Sequence, residues 1–297
     1  MPKTTTTITP SNNLRGILFM LLGVSMFPFL NASAKYLSAD YATPMIIWMR
    51  YLGHLLFMII WFMPTHGIGL FVSRHPTIQM SRSLLLFGST AFNFVALSFI
   101  PLTMANAISF AAPFIVTVLA VLVLREKVGW RRWSAVAAGF IGVLVIVRPG
   151  LGEVHWAVLL SLCGTTCYSV YQILTRGLGA GDDAATTIVY TAIVGTLVAS
   201  VMIPFYWSPP VANWHWLLFA LMGLCGGFGH YFVVKAFQYG EAAVVAPFGY
   251  AQLIGTTILG YLIFNDIPDF WTWVGASIIV GSSAFIAYRE AQVRGRT

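Results

Sequence analysis

The chain has 297 residues, of which 58% are hydrophobic and only 8% are charged, and its formal net charge is +7. Soluble domains carry about 25% charged residues, so this composition argues against a soluble enzyme, a disordered chain and a nucleic-acid-binding protein. The three cysteines lie in apolar runs and are too few for a disulfide framework. The composition predicts an integral membrane protein whose partner is a lipid bilayer and not a nucleic acid.

Long apolar runs follow one another along almost the whole chain. A helix that spans a bilayer needs about 20 mostly apolar residues. Ten runs meet this requirement, at residues 14–38, 43–64, 82–100, 103–124, 131–148, 155–176, 184–207, 214–239, 242–265 and 270–288. We therefore predict an all-α integral membrane protein with ten transmembrane helices. Only the polar stretches 1–13, 65–81 and 289–297 remain outside, so no soluble catalytic domain is expected.

The positively charged residues of the loops predict the orientation. With the N-terminus in the cytoplasm, only Lys35 and Arg148 fall on the outer side, and most other Lys and Arg residues, Arg82 among them, fall on the inner side. Both termini are therefore predicted to be cytoplasmic. The tryptophans lie near the ends of the predicted helices, as expected for anchors at the headgroup level. These features fit a multi-pass protein of the bacterial inner membrane.

The sequence repeats weakly after about 140 residues. Gly23, Asn31, Lys35 and Leu37 correspond to Gly164, Gln172, Arg176 and Leu178, and residues 124–130 correspond to 264–270. This divides the chain into two five-helix units, 1–148 and 149–297. Because five is odd, the second unit enters the membrane from the opposite side, which makes an inverted repeat. A transporter needs its first helix, so we expect that helix to be retained although Ala32-Ser33-Ala34 imitates a signal-peptide cleavage site.

An acidic residue ends the fourth helix of each unit, in Arg125-Glu126-Lys127 and in Asn265-Asp266-Ile267-Pro268. With the two five-helix units, this pattern resembles the drug/metabolite transporter superfamily, and most of all its EamA-type branch of ten-helix bacterial exporters. The sequence is also similar to the aromatic amino acid exporter type. The resemblance implies secondary transport by alternating access, with no ATP site, no metal and no prosthetic group.

Polar side chains at membrane depth are the candidate substrate-binding residues, because hydrocarbon penalises them unless they face a cavity or a partner. Each of them could instead form an ordinary hydrogen bond between helices. Together they would line a cavity with aromatic walls and a few hydrogen-bonding groups, which suits a zwitterion with an apolar side chain. The candidates are Arg50, His54, Asn93, Tyr168, Tyr171, Gln172, His230, Tyr231, Tyr250 and Gln252.

Two symmetric charge pairs and two prolines are the candidate gating residues. Lys35 with Asp40 and Arg176 with Asp182 would form ion pairs at the outer and inner faces, or they are ordinary surface pairs. Pro113, about halfway along the fourth predicted helix, and Pro247, in the ninth, each remove a backbone donor. The prolines would mark a hinge or a cavity, or simply a kink.

All nine carboxylates fall at predicted helix ends or in loops. Proton-coupled pumps commonly keep an Asp or Glu at mid-depth, so facilitated diffusion or exchange is the simpler hypothesis. If protons drive transport, His54 or His230 must titrate.

The resulting prediction is an inner-membrane secondary transporter that exports amino acids, aromatic ones among them, or related small metabolites. The protein would be a monomer or a weak homodimer. The first alternative is efflux of drugs or cationic metabolites by proton antiport. A membrane enzyme is less favoured because the sequence lacks HExxH. A channel is also less favoured, because channels tend to surround a symmetric pore between subunits.

Overall fold

The structure of the protein is a computed structural model. It describes residues 12–100, 105, 108–109, 111–147, 156–178, 181–265, 270–271, 273–275, 277–278, 280–282, 285 and 288, without the side chains of residues 132, 143, 146, 147 and 243. The described residues form helices and no strand. Both chain termini and Asp266, the predicted acidic end of the ninth helix, lie outside the described residues.

The described residues include nine uninterrupted helices longer than two turns, numbered in chain order. They are α1 (Asn13–Leu37), α2 (Thr43–His66), α3 (Pro76–Leu97), α4 (Ala112–Leu122), α5 (Trp130–Val147), α6 (Ala157–Leu178), α7 (Ala184–Ser200), α8 (His215–Tyr239) and α9 (Gln252–Phe264). Single helical turns follow α7 at Ile203–Tyr206 and follow α8 at Ala242–Val245. One 3-10 segment, Gly67–Phe71, follows α2, and another, Ala246–Ala251, precedes α9.

Six helical segments of the described chain are long and apolar enough to cross a membrane. They coincide with six of the predicted runs, and end at Leu37, Phe71, Leu97, Leu178, Tyr239 and Phe264. Shorter apolar helices, Ala112–Leu122, Trp133–Gly142, Ala184–Ser200 and Trp273–Ser282, lie within the four other runs. The prediction of a multi-spanning all-α membrane protein is therefore confirmed, and the number of crossings stays a prediction.

Three predicted boundaries were wrong. Helix α3 begins at Pro76, six residues before the predicted run, because proline suits the first turn of a helix where its missing N–H is not needed. This places Arg82 in the second turn of the helix, where it is fully buried, and not at the inner end of the helix as predicted. The ninth predicted run is divided by the 3-10 segment Ala246–Ala251. The α-helix of the seventh run ends at Ser200, before the predicted end at residue 207.

The helix ends define two faces of the bundle. At face A, the start of α1 meets the end of α8, where the Asn12 amide donates to the Tyr239 carbonyl at 2.7 Å. At face B, the end of α1 meets the start of α8, where the rings of Tyr36 and Trp214 lie 5.3 Å apart. The start of α6 also lies at face B, since Trp156 packs on Phe99 beyond the end of α3.

Helices from the two sequence halves pack against each other throughout the core. Helix α1 packs along α8, and α3 packs along α6; α2 contacts both α7 and α8, and α3 also contacts α7. Two of these pairs have glycines where the backbones approach. A Cβ on Gly223 would lie 2.6 Å from the backbone of Gly53, and one on Gly23 would lie 2.8 Å from the Gly229 carbonyl. Close helix approach through small residues is typical of membrane bundles.

Candidate binding cavity

A cavity lies between the two halves, in the part of the bundle nearer to face B. About 130 Å³ of it is open to the centres of water molecules, enough for several waters or a small organic group. Its polar lining comes from both halves, and so does its aromatic lining. Its lining includes Phe27, Arg50, Thr90, Asn93, Tyr168 and His230.

Arg50 is the only cationic side chain among the described lining residues. It is 3% exposed, yet it has no carboxylate partner among the described residues. Its Nη1 donates to Thr90 Oγ1 at 3.2 Å and its Nη2 lies 3.1 Å from His230 Nε2. Its Nε has no hydrogen-bond partner among the described residues, and its guanidinium lies over the Tyr51 ring. The cavity therefore contains a buried positive charge that has no counter-ion among the described residues.

Aromatic rings lie on one side of the Arg50 guanidinium. The His230 ring lies 4.8 Å from the Phe27 ring and 6.3 Å from the Tyr168 ring, which stacks in turn on Tyr171. Asn93 adds an amide, which donates to the Ser89 carbonyl and accepts from Ser161. The arrangement combines one anion-binding group, flat apolar walls and a few hydrogen-bonding groups.

Five of the ten predicted binding residues line the cavity, namely Arg50, Asn93, Tyr168, His230 and Gln252. The other five are not among its lining residues. His54 is fully buried beside Tyr51, and Tyr231 packs on Phe62 on another side of α8. The remaining residues, Tyr171, Gln172 and Tyr250, are buried elsewhere in the bundle.

Several lining residues were not predicted. Thr90 and Ser89 were missed because hydroxyl side chains are common in spanning helices, where they bond to the preceding turn, as Thr90 does to the Leu86 carbonyl. Their spacing with Asn93 on one face of α3 is the signal that could have found them. Phe27 and Asn31 of α1 also line the cavity. Nothing in the sequence separates Phe27 from the other phenylalanines.

The two candidate prolines lie at breaks in their helices. Pro113 is in the first turn of α4, not halfway along a continuous helix as predicted, and residue 111 before it is a turn. Pro247 lies in the first turn of the 3-10 segment that precedes α9. The two segments touch, because a Cβ on Gly249 would lie 3.8 Å from Pro113 Cγ. Both breaks therefore lie at one contact between the halves, close to Gln252 at the start of α9.

The predicted ion pairs are wrong in their partners. The Arg176 Nε lies 3.5 Å from Glu126 Oε1, not beside Asp182, and its Nη1 donates to the Phe237 carbonyl. The Lys35 ammonium lies over the Phe264 ring, 4.6 Å from its centroid, and forms no ion pair with the exposed Asp40. Sequence separation alone favoured the nearby carboxylates, whereas the fold brings in partners from the other half.

Asp182 forms a hydrogen-bonded cluster at face A instead. Its carboxylate accepts from the Ser73 hydroxyl, from the Arg74 amide at 2.8 Å and from Gln79 Nε2 at 3.0 Å. Burial opposes ionisation of this carboxyl, but the three hydrogen bonds outweigh it, so the pKa of Asp182 is lowered from its usual value. Asp182 therefore stays ionised and ties the loop after α6 to α3.

The EamA-like transporter family model matches residues 14–148 and again residues 155–288. The chain belongs to the EamA-like transporter family. This identifies a membrane transporter and not an enzyme, as the sequence predicted. It also establishes the drug/metabolite transporter resemblance on nearly the whole chain.

Curated relatives of this EamA-like transporter have different names. An S-adenosylmethionine uptake transporter of Rickettsia prowazekii is 30% identical, covering 93% of this chain and 94% of its own. A riboflavin transporter of Vibrio cholerae is 28% identical, covering 94% and 95%. The pseudopaline exporter CntI of Pseudomonas aeruginosa is 26% identical, covering 89% and 93%. A solved crystal structure at 17% identity shares the fold, with a TM-score of 0.74 over 94% of this chain and 97% of its own.

Proposed function

We propose that this EamA-like transporter is an alternating-access carrier for small metabolites that have a free carboxylate and an apolar or aromatic body. Amino acids and S-adenosylmethionine, which contains an amino acid group, belong to this class. The observation that carries the proposal is Arg50, a buried guanidinium that faces the cavity and has no counter-ion among the residues that the structure describes.

The surroundings of Arg50 suit a carboxylate. A buried charge is costly unless it is paired and fully hydrogen-bonded. The present partners of Arg50, Thr90 and His230, are neutral or share its sign when charged. A carboxylate would supply the missing charge and accept from the guanidinium in a planar, bidentate geometry.

The rest of the cavity accounts for the non-ionic part of such a substrate. The rings of Phe27, Tyr168 and His230 offer faces on which a side chain or a flat base can stack. The names of the relatives indicate that the family carries ring-containing and amino-acid-derived metabolites. They favour S-adenosylmethionine as the first compound to test beside the aromatic amino acids.

An inverted repeat is supported by contacts at the two faces. Tyr41, after α1, accepts from the Val211 amide at 2.7 Å and lies 2.7 Å from His215 Nδ1 in the first turn of α8, at face B. Asp182, after α6, makes the matching contacts with Arg74 and with Gln79 of α3 at face A. These contacts support corresponding places for Tyr41 and Asp182 in the two proposed repeats.

The packing and the backbone follow the same relation. If α1 corresponds to α6 and α3 to α8, the α1–α8 contact becomes the α6–α3 contact, and both are extensive. Arg125 and Asn265 adopt left-handed conformations after α4 and α9, and no other described non-glycine residue has a positive φ. Two halves that begin at opposite faces can exchange conformations, which is the basis of alternating access.

The positions of the carboxylates favour uncoupled transport. The five described ones, Asp40, Glu126, Asp182, Asp183 and Glu241, lie at helix ends or between helices. No carboxylate lies among the described lining residues of the cavity. We therefore propose facilitated diffusion or exchange, with export when the substrate is more concentrated inside. The loop charges favour a cytoplasmic face A. The cavity would then lie within the bundle, closer to the outer surface of the bacterial inner membrane than to the inner surface.

Efflux of cations by proton antiport fits the cavity less well. A cationic drug that has no carboxylate of its own would meet the positive charge of Arg50, and no carboxylate among the described lining residues would compensate for it. An antiporter of this kind would also need a titrating group at mid-depth, and only the histidines are candidates there. The first alternative is therefore not favoured.

The test is a substrate panel in proteoliposomes. Labelled S-adenosylmethionine, tryptophan and phenylalanine share a carboxylate, whereas riboflavin has none and serves as the matched control. We expect uptake of at least one carboxylated compound, inhibited by the others in excess, and no uptake of riboflavin above empty liposomes. Transport of riboflavin alone, or of cationic drugs alone, would contradict the proposal.

A further inference from the structure

Arg82 lies in line with the cavity, on the side towards face A. On α3, the cavity is lined by Leu86, Ser89, Thr90, Asn93 and Leu97, which share one side of the helix at spacings of three and four residues. Arg82 is the next member of this series, one turn from Leu86 and about 6 Å along the helix axis. The described cavity stops before Arg82, which is fully buried.

The facing helix shows the same continuation. On α6, Thr165 and Tyr168 line the cavity, and Tyr171 and Thr175 follow on the same side towards face A. The Tyr171 ring lies under the Arg82 guanidinium, with 4.6 Å between the guanidinium carbon and the ring centroid, and 6.0 Å from the His230 ring. Thr175 accepts from Arg82 Nε at 3.1 Å. Arg82 and Tyr171 thus close the space between α3 and α6.

The hydrogen bonds of Arg82 connect three helices, and one of its nitrogens has no hydrogen-bond partner in the described part of the chain. Its Nη1 lies within 3.1 Å of Gln79 Oε1 on α3, of the Thr187 carbonyl and of Thr191 Oγ1 on α7. Its Nη2 has no hydrogen-bond partner among the described residues. The nearest carboxylate in this network, Asp182, is reached only through Gln79. Arg82 therefore keeps capacity for an anion.

We propose that Arg82 is a second carboxylate-binding residue of the transport path, which holds the substrate after the path opens at face A. This inference rests on the proposed function. Opening at face A separates α3 from α6 and α7 and removes the present acceptors of Arg82. A substrate carboxylate then replaces them on the same guanidinium. Arg50 serves the face B side of the path and Arg82 the face A side.

The first test measures the half-saturation concentration of S-adenosylmethionine separately from each side of oriented proteoliposomes. Arg82→Gln should raise the value on the face A side about tenfold or more, which corresponds to about 1.4 kcal/mol of lost binding, and leave the face B value within about twofold. Arg82→Lys, which keeps the charge, should give a half-saturation concentration on the face A side between those of wild type and Arg82→Gln. Arg74→Gln, which removes an exposed cation at face A, is the matched control and should change neither value. Equal changes on both sides would assign Arg82 a purely structural role.

The second test does not depend on the substrate. Sulfophenylglyoxal, an anionic arginine reagent, is added to native protein, and the modified arginines are located by mass spectrometry. We expect Arg82 to be modified from the face A side, more slowly than exposed Arg74. Absence of modification at Arg82 while Arg74 reacts fully would overturn the inference. Arg82 labelling in a protein that transports none of the carboxylated compounds would refute the proposed substrate class and support access of anions to Arg82.

Discussion

Replacing Arg50 by glutamine removes the only described cation from the cavity and keeps a hydrogen-bonding side chain of intermediate length. The fold should lose little. Two hydrogen bonds of the guanidinium, to Thr90 at 3.2 Å and to His230 at 3.1 Å, disappear. The cost of burying an unpaired charge disappears with them. Since these contributions oppose each other, we expect the free energy of unfolding to change by about 1 kcal/mol or less.

The free energy of substrate binding should change far more than the free energy of unfolding. Removing one partner of a buried, hydrogen-bonded charge pair costs about 2–5 kcal/mol. A loss of about 3 kcal/mol corresponds to a Kd that rises about 150-fold. Arg50→Lys keeps the charge but not the planar pair of donors, so its Kd should rise by a smaller factor.

The assay is a binding cycle that uses tryptophan and tryptophanamide on purified protein. Wild-type protein should bind the carboxylate much more tightly than the amide, and Arg50→Gln should bind the two with similar affinity. The cycle isolates the contact between the carboxylate and Arg50 from any general loss of affinity. An Arg50→Gln protein that still prefers the carboxylate by the wild-type factor would refute the carboxylate-binding role of Arg50.

Three further changes test the fold at its contacts. Gly223→Ala should lower the free energy of unfolding by about 1–3 kcal/mol in thermal melts, because its Cβ would lie 2.6 Å from the α2 backbone, whereas Gly88→Ala, with its nearest atom at 4.0 Å, should not. Asp182→Asn should destabilise by about 1–3 kcal/mol at neutral pH. Because the pKa of Asp182 is lowered in the folded state, its contribution to stability is complete above the unfolded pKa of about 3.9 and is lost as the pH falls. The difference in Tm between wild type and variant should therefore narrow in acid. A difference in Tm that does not change with pH would contradict this. Tyr41→Phe should cost about 1–2 kcal/mol, since the Val211 amide loses its acceptor, and an unchanged Tm would contradict that contact.

The fold class could be predicted from the sequence because the bilayer imposes a simple rule on every spanning segment. Long apolar runs of the required length are visible without knowledge of tertiary contacts. The break at Ala246–Ala251 was not predicted, although Pro247 pointed to it, because the run remains apolar across the break. Hydrophobicity reports where a segment lies, not whether its backbone is continuous.

The cavity could be predicted only in part. Arg50 and His230 were found because charged and aromatic polar groups at membrane depth are rare. His54 does not line the cavity because of the way α2 is rotated against α8, and no local sequence pattern specifies that rotation. The partner of Arg176 is Glu126, which is distant in sequence, so the ion pair could not be read from neighbouring residues.

Arg82 shows why polar residues near the predicted ends of helices are difficult to assign. Counted as a loop residue, it supported the orientation; in the structure it is a buried residue of α3. Gln79 and Ser83 are buried as well, and together the three residues form a polar stripe at the start of that helix. This stripe, read with Pro76 as a helix start, would have placed Arg82 within the bundle.

Counterflow in proteoliposomes tests the central claim most directly. Vesicles are loaded with unlabelled S-adenosylmethionine or tryptophan and diluted into a trace of the same labelled compound, without any ion gradient. A carrier whose single site opens to one side at a time should concentrate the label transiently above its equilibrium level, and should do so at least severalfold less with Arg50→Gln. Labelled compound that only equilibrates, at a rate independent of the unlabelled load, would indicate a pore and contradict alternating access.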